Sequence, residues 1–131
     1  MKRSKSFART KGHSFEREFA QRLRALDPTA KRNVEETQDG SVDIKTRLPL
    51  AIQCKCLGRW SLTPHKILEQ AVEGMGKLLS SSHSGKSLLA LGVVRISRKR
   101  PDIAVLSLDD FLYLLSKVSW QELKFPSCTE T

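Results

Sequence analysis

No stretch of the chain approaches the ~18 to 20 consecutive apolar residues that a membrane span requires. The opening MKRSKSFARTKGHS is basic without an apolar segment behind it, so it does not read as a secretory leader. Cysteine is scarce: Cys54, Cys56 and Cys128 form an odd set without the density of a disulfide scaffold, which fits a reducing compartment. These absences predict a soluble, cytoplasmic protein with no membrane partner. Acid is also missing where it would balance the N-terminus, since residues 1–12 carry Lys2, Arg3, Lys5, Arg9 and Lys11 and no Asp or Glu. That segment reads as a flexible basic arm, either a solubilising tail or a contact for phosphates.

What is present in excess is positive charge. The chain has 23 Lys and Arg against 14 Asp and Glu, a formal net charge of +9, which predicts attraction to a polyanion such as nucleic acid. Its 131 residues are enough for one core and too few for two of ordinary size. A single domain over 13–120, with a loosely held tail over 121–131, is the expected organisation.

Phe15, Phe19, Leu23 and Leu26 recur at helical spacing, with Ser14 placed to cap and Pro28 just beyond, which predicts a first helix from Phe15 to Leu26. AKRNVEET reads as a short strand and QDG as a turn. Two further strands are expected at Ser41–Thr46 and Leu50–Cys56. A second helix follows, with Thr63 as N-cap, Pro64 in its first position and a stripe of Ile67, Leu68, Ala71, Val72, Met75, Leu78 and Leu79. SSSHSGKS reads as a loop, LLALGVVRI as a buried central strand, DIAVLSL as another strand and LDDFLYLLSKV as a closing helix.

Strand alternation puts Val42 and Ile44 on one face and Asp43 on the other, and it separates Ile52 and Cys54 from Gln53 and Lys55. With Thr46 opposite Leu50, Val42 falls beside Cys54, Ile44 beside Ile52 and Asp43 beside Gln53. A one-residue slip would mix the faces, so the hydrophobic pattern favours this register. An acid, an amide and an ammonium then converge on one patch, since cross-strand neighbours lie about 5 Å apart.

In this order the chain resembles the PD-(D/E)xK nuclease superfamily, and within it the archaeal-type Holliday junction resolvases and similar phage enzymes. The likeness spans about Lys11 to Ile96. KGHSFERE resembles that branch's glycine-led first helix with its acid at Glu16, GSVDI supplies Asp43, and IQCK occupies the (D/E)xK position with Gln53 and Lys55. Two positions depart from the pattern: Val42 stands where a proline usually precedes the acid, and Gln53 replaces the second acid.

The resemblance implies an α/β fold with a restriction-endonuclease-like αβββαβ core, a mixed central sheet flanked by helices. It implies a magnesium-dependent DNA endonuclease acting on branched DNA, with manganese as an alternative metal, in a bacterial or phage-infected cell. Glu16, Asp43, Gln53 and Lys55 would be the catalytic residues. Asp43, Gln53, the Cys54 backbone carbonyl and Glu16 would hold the metal, a donor set of hard oxygens that suits Mg²⁺. Lys55 would orient the attacking water, because a lysine at its ordinary pKa is a poor base near neutrality. Lys2, Arg3, Lys5, Arg9, Lys11 and Arg17 would contact DNA phosphates. Two opposed cuts on a four-way junction imply a homodimer. Transposon-end cutting on the same fold, and a basic DNA-binding protein whose nuclease site has decayed, are the competing readings.

Other signals carry less. SHSGKS lacks the earlier glycine of a phosphate-binding loop, since position 80 is Ser80, so no nucleotide cofactor is expected. Cys54 and Cys56 read as small buried hydrophobes rather than zinc ligands. Gln70 and Glu73 are candidates to face the site from the second helix, or simply an exposed polar face. Arg95, Arg98, Lys99 and Arg100 read as a solvated turn or a second phosphate contact, ranked below the N-terminal cluster.

Overall fold

The computed structural model describes residues 5–34, 42–59, 61–82 and 88–119. Their order is α1 (Lys5–Leu23), β1 (Lys31–Arg32), β2 (Ile44–Lys45), β3 (Leu50–Cys56), α2 (Pro64–Ser82), β4 (Leu89–Arg95), β5 (Ile103–Val105) and α3 (Leu108–Ser116). The strands form one five-stranded sheet in the order β1-β2-β3-β4-β5. β3 and β4 run parallel and every other neighbouring pair runs antiparallel, so the protein is α/β with a mixed sheet flanked by helices. No helix among the described residues is long and apolar enough to cross a membrane.

The two faces of the sheet are covered by different helices. On one, Phe15, Ala20 and Leu23 of α1 pack with Ala30, Ile44, Ile52 and Val93, joined by the partly buried Leu50, Cys54 and Cys56. On the other, Ile67 of α2 sits so close to Gly92 that a Cβ added there would lie 2.6 Å from its Cγ2. The glycine is therefore a packing requirement, letting α2 approach the middle of the parallel pair. Gln53 is the strand partner of Gly92, which puts Gln53 and, by alternation, Lys55 on the α2 face.

Helix α1 begins ten residues earlier than the spacing of its apolar side chains implied. Lys, Arg and Ala are favourable helix residues, so the helix runs back to Lys5. Ser14 is consequently interior, not a cap. At the other end the backbone tightens, with Leu26 N–H donating to Leu23 O at 2.9 Å, and Leu26 points to solvent at 75% exposure. Thr63 does cap α2, its Oγ1 accepting from Lys66 N–H at 3.1 Å. That helix runs on through Ser82, where a loop was expected, and Val72 lies outside the buried stripe at 47% exposure. Residues 1–4, 35–41, 60, 83–87 and 120–131, which include Lys2, Arg3, the expected QDG turn, Ser41, Trp120 and the expected tail, lie outside the described residues.

A tie that the sequence reading passed over fixes the hairpin against α1. Asp27 is buried, and its Oδ1 accepts from Thr29 N–H at 3.0 Å and Thr29 Oγ1 at 2.6 Å. Its Oδ2 accepts from Thr46 Oγ1 at 2.6 Å and Arg47 N–H at 2.8 Å. The Thr29 and Thr46 hydroxyls, then the Arg47 amide, hold its carboxyl far below the usual carboxylate range. The DPT triplet was a legible signal, since Asp two residues before Thr commonly closes such a turn.

Candidate active site

Asp43 enters the site through a break in the regular ladder. Ile44 pairs with Ile52 as the hydrophobic pattern required. The Asp43 N–H, however, also goes to Ile52 O, at 2.9 Å, so two residues of one strand lie against one of the other. That bulge-like count overturns the regular pairing of Asp43 with Gln53 and leaves β2 only two residues long. It also frees the Asp43 side chain from strict alternation. Its carboxylate reaches the neighbouring strand β3, where Oδ2 accepts from Cys54 N–H at 2.7 Å.

This contact places a buried carboxylate on the backbone of the residue between Gln53 and Lys55. A residue's N–H and C=O leave a strand on the same side, so the Cys54 carbonyl also points toward the Asp43 side of β3. Asn33 braces the bend from behind. Its N–H donates to Asp43 O at 2.8 Å and its Nδ2 donates to Val42 O at 2.8 Å. Asn33 is itself buried, and nothing in the spacing of AKRNVEET singled it out. Only the fold reveals that β1 ends where Asp43 must be held.

Glu16 reaches the sheet from the α1 side. It is buried, and its Oε2 lies 3.3 Å from Nε of Arg32, the strand partner of Ile44. The two atoms approach without a directed hydrogen bond, a pairing by charge alone. Gln53 and Lys55, by contrast, belong to the α2 face, with Gln53 buried and Lys55 half-buried. Asp43 is thus tied to the Gln53–Lys55 stretch through the Cys54 N–H, while Glu16 pairs with Arg32.

From α2, Glu73 is exposed and pairs with Lys77 at 3.6 Å, so it faces solvent. Gln70 is half-buried and its Oε1 has no hydrogen-bond partner among the described residues. Of the expected phosphate contacts, Lys5, Arg9 and Lys11 lie on α1, and Arg17 is exposed on the same helix. Cys54 and Cys56 pack against the α1 core as small hydrophobes.

Among the described residues, no three His, Cys, Asp or Glu side chains gather as a metal-binding group. The groups around Asp43 are of another kind: a buried carboxylate held on the Cys54 N–H, with the Gln53 amide next along the strand. Oxygen donors of this kind are the ligand type that hard divalent cations such as Mg²⁺ and Mn²⁺ prefer.

The second basic segment is more than a solvated turn. Arg95 donates through Nε to Asp102 Oδ1 and through Nη2 to Asp102 Oδ2, both at 2.9 Å, and through Nη1 to Glu18. Its guanidinium also lies over the Phe15 ring, 4.6 Å from the centroid. Arg95 holds the Asp102 carboxyl below its ordinary value, and Arg95 with Arg98 does the same to Glu18. Asp102 and Glu18 in turn raise Arg95.

Compared with protein-family models and with curated proteins, the chain finds no match.

Proposed function

We propose that the protein is a metal-dependent DNA endonuclease with a restriction-endonuclease-like core of the PD-(D/E)xK kind, acting on branched DNA as Holliday junction resolvases do. The observation that carries this reading is the Asp43 carboxylate seated on the Cys54 N–H, between Gln53 and Lys55, at a bulge in the sheet. Bulges commonly re-aim a side chain next to an active site. The net charge of +9 suits a phosphate-rich substrate.

Asp43, the Gln53 amide oxygen and the Cys54 carbonyl would hold Mg²⁺, or Mn²⁺ in its place. When bound, the cation supplies Lewis-acid stabilisation of the charge that grows on the phosphate. Lys55 positions the attacking water and balances phosphate charge, and the backbone amide of Cys54 keeps the Asp43 carboxylate oriented. Glu16 acts from behind the site, its carboxylate held by Arg32. Resolution of a four-way junction needs two opposed cuts and hence a two-fold dimer. α3 offers a face for it, with Leu108, Phe111, Leu112 and Tyr113 exposed and none of its residues buried.

A second reading, a DNA-binding protein with a decayed site, is favoured by Gln53 standing where an acid would serve. Purified protein incubated with a labelled four-way junction and a linear duplex, with Mg²⁺ or Mn²⁺, separates the two. Metal-dependent cutting of the junction, lost in Asp43→Asn and Lys55→Ala, is the expected result. Junction binding without cutting supports the decayed site, and equal cutting of both DNAs supports a general nuclease.

A further inference from the structure

We propose that the carboxyl ends of the parallel strands β3 and β4 carry a phosphate-binding rim, built from Arg59, Lys99 and Arg100, that holds a DNA backbone beside the Asp43 site. The inference deepens the nuclease reading and rests on its nucleic-acid substrate, but it needs no bond to be cut.

Placement is the first argument. Cys56 pairs with Arg95, and Leu57 N–H donates to Arg95 O at 2.8 Å, so the two strands leave the sheet side by side. From the turns that follow, Gly58, Arg59, Ile96, Ser97 and Arg100 line one open cavity of about 350 Å³. Lys55 is the penultimate residue of β3, so the rim starts within four residues of it. In open α/β sheets, the crevice outside the carboxyl ends of the strands is where ligands bind.

Construction is the second. A solvated turn needs no buried anchor, yet this one is fastened to α1 through the Arg95 guanidinium. Arg95 is only 13% exposed at its side chain and joins Asp102, Glu18 and the Phe15 ring. Arg98 Nη2 reaches the same Glu18 at 2.8 Å, and Arg22 Nη1 reaches Asp102 at 3.2 Å. Ser97 shapes the turn itself, accepting from Lys99 N–H at Oγ and from Arg100 N–H at its carbonyl. Holding the turn in advance removes ordering entropy that a mobile loop would lose on binding.

Charge is the third. Around the turn, Arg22, Arg59, Arg95, Arg98, Lys99 and Arg100 face two carboxylates, Glu18 and Asp102. Those two acids are spent on Arg22, Arg95 and Arg98. Arg59, Lys99 and Arg100 are exposed and meet no acid among the described residues, so their charge is available to a phosphate chain. Arginine in particular matches phosphate through paired N–H donors.

The test is a salt titration of binding, with a labelled four-way junction and a linear duplex, in EDTA so that nothing is cut. In the Arg59→Ala/Lys99→Ala/Arg100→Ala variant, the slope of log affinity against log salt should fall by about 2 to 3, since each lost phosphate contact removes roughly 0.9. A triple lysine-arginine exchange that keeps the charges should retain the wild-type slope. Thermal midpoints should match across the set, because these side chains brace nothing. An unchanged slope overturns the rim, even if the wild type cuts DNA in Mg²⁺. A reduced slope sustains it, even if no cutting occurs and the nuclease reading fails.

Discussion

Substituting Gly92 with alanine should be among the most costly one-carbon changes available in this protein, and its cost should be recoverable at a single other residue. The added Cβ would lie 2.6 Å from Cγ2 of Ile67, far inside the roughly 3.5 to 4.0 Å at which carbon atoms attract. Ile67 cannot yield easily. It is 0% exposed, and its branch at Cβ leaves one strongly preferred rotamer in a helix. Overpacking of this sort costs about 1 to 3 kcal/mol. Leucine has no γ2 methyl, so Ile67→Leu removes the obstructing atom while conserving volume, at a cost of its own below about 1.5 kcal/mol. The double variant should therefore be more stable than the sum of the single changes predicts, with a favourable coupling of about 1 to 2 kcal/mol. Urea unfolding of the four proteins, read as midpoint and slope, measures this. A Gly92→Ala protein as stable as the wild type, or a coupling of zero, would refute the claim that the glycine admits α2 to the sheet. Because Gly92 is the strand partner of Gln53, the single variant should also impair cutting, and Ile67→Leu should restore it.

Asp27 should make stability pH-dependent on the acid side. Its folded pKa is depressed, so its contribution is complete above the ordinary carboxylate value of 3.8 and disappears as pH falls below that through the folded value. Urea midpoints measured across acid pH should show a shallower loss for Asp27→Asn than for the wild type, together with a lower midpoint near neutrality; a constant offset at every pH would contradict this. Asn33→Ala should cost about 1 to 3 kcal/mol, because it leaves the buried Val42 carbonyl without its 2.8 Å donor. If instead the variant unfolds at the wild-type midpoint and cuts at the wild-type rate, the bend at Asp43 is not held by Asn33.

The parts of the fold that could be read from sequence were those governed by a repeating pattern or a local signal. The alternation through VDIKTRLPLAIQCKC gave the Ile44–Ile52 register, and Thr63-Pro64 gave the start of α2, because both depend on neighbours a few residues away. The beginning of α1 was invisible for the opposite reason: its first turns carry basic residues with no apolar stripe, so helix propensity acted without periodicity. In the candidate site, Asp43 and the Gln53–Lys55 pair were legible as an acid and a polar pair on adjoining strands. The bulge that turns Asp43 onto the Cys54 amide was not, since strict alternation is the assumption a bulge violates. Asn33, and the anchoring of Arg95 by Glu18 and Asp102, depend on contacts between distant elements that no spacing rule announces.

The most direct test lies at Gln53, where the proposed cage has an amide in place of a second carboxylate. Replacing it with glutamate adds a negative charge to the site without changing its size. Cleavage of a four-way junction, measured against Mg²⁺ concentration for the wild type and Gln53→Glu, should show half-maximal activity at a distinctly lower Mg²⁺ level in the variant. A metal requirement that does not move, or cutting by neither protein at any Mg²⁺ level, would contradict the assignment of Asp43, Gln53 and Lys55 as a metal-dependent nuclease site.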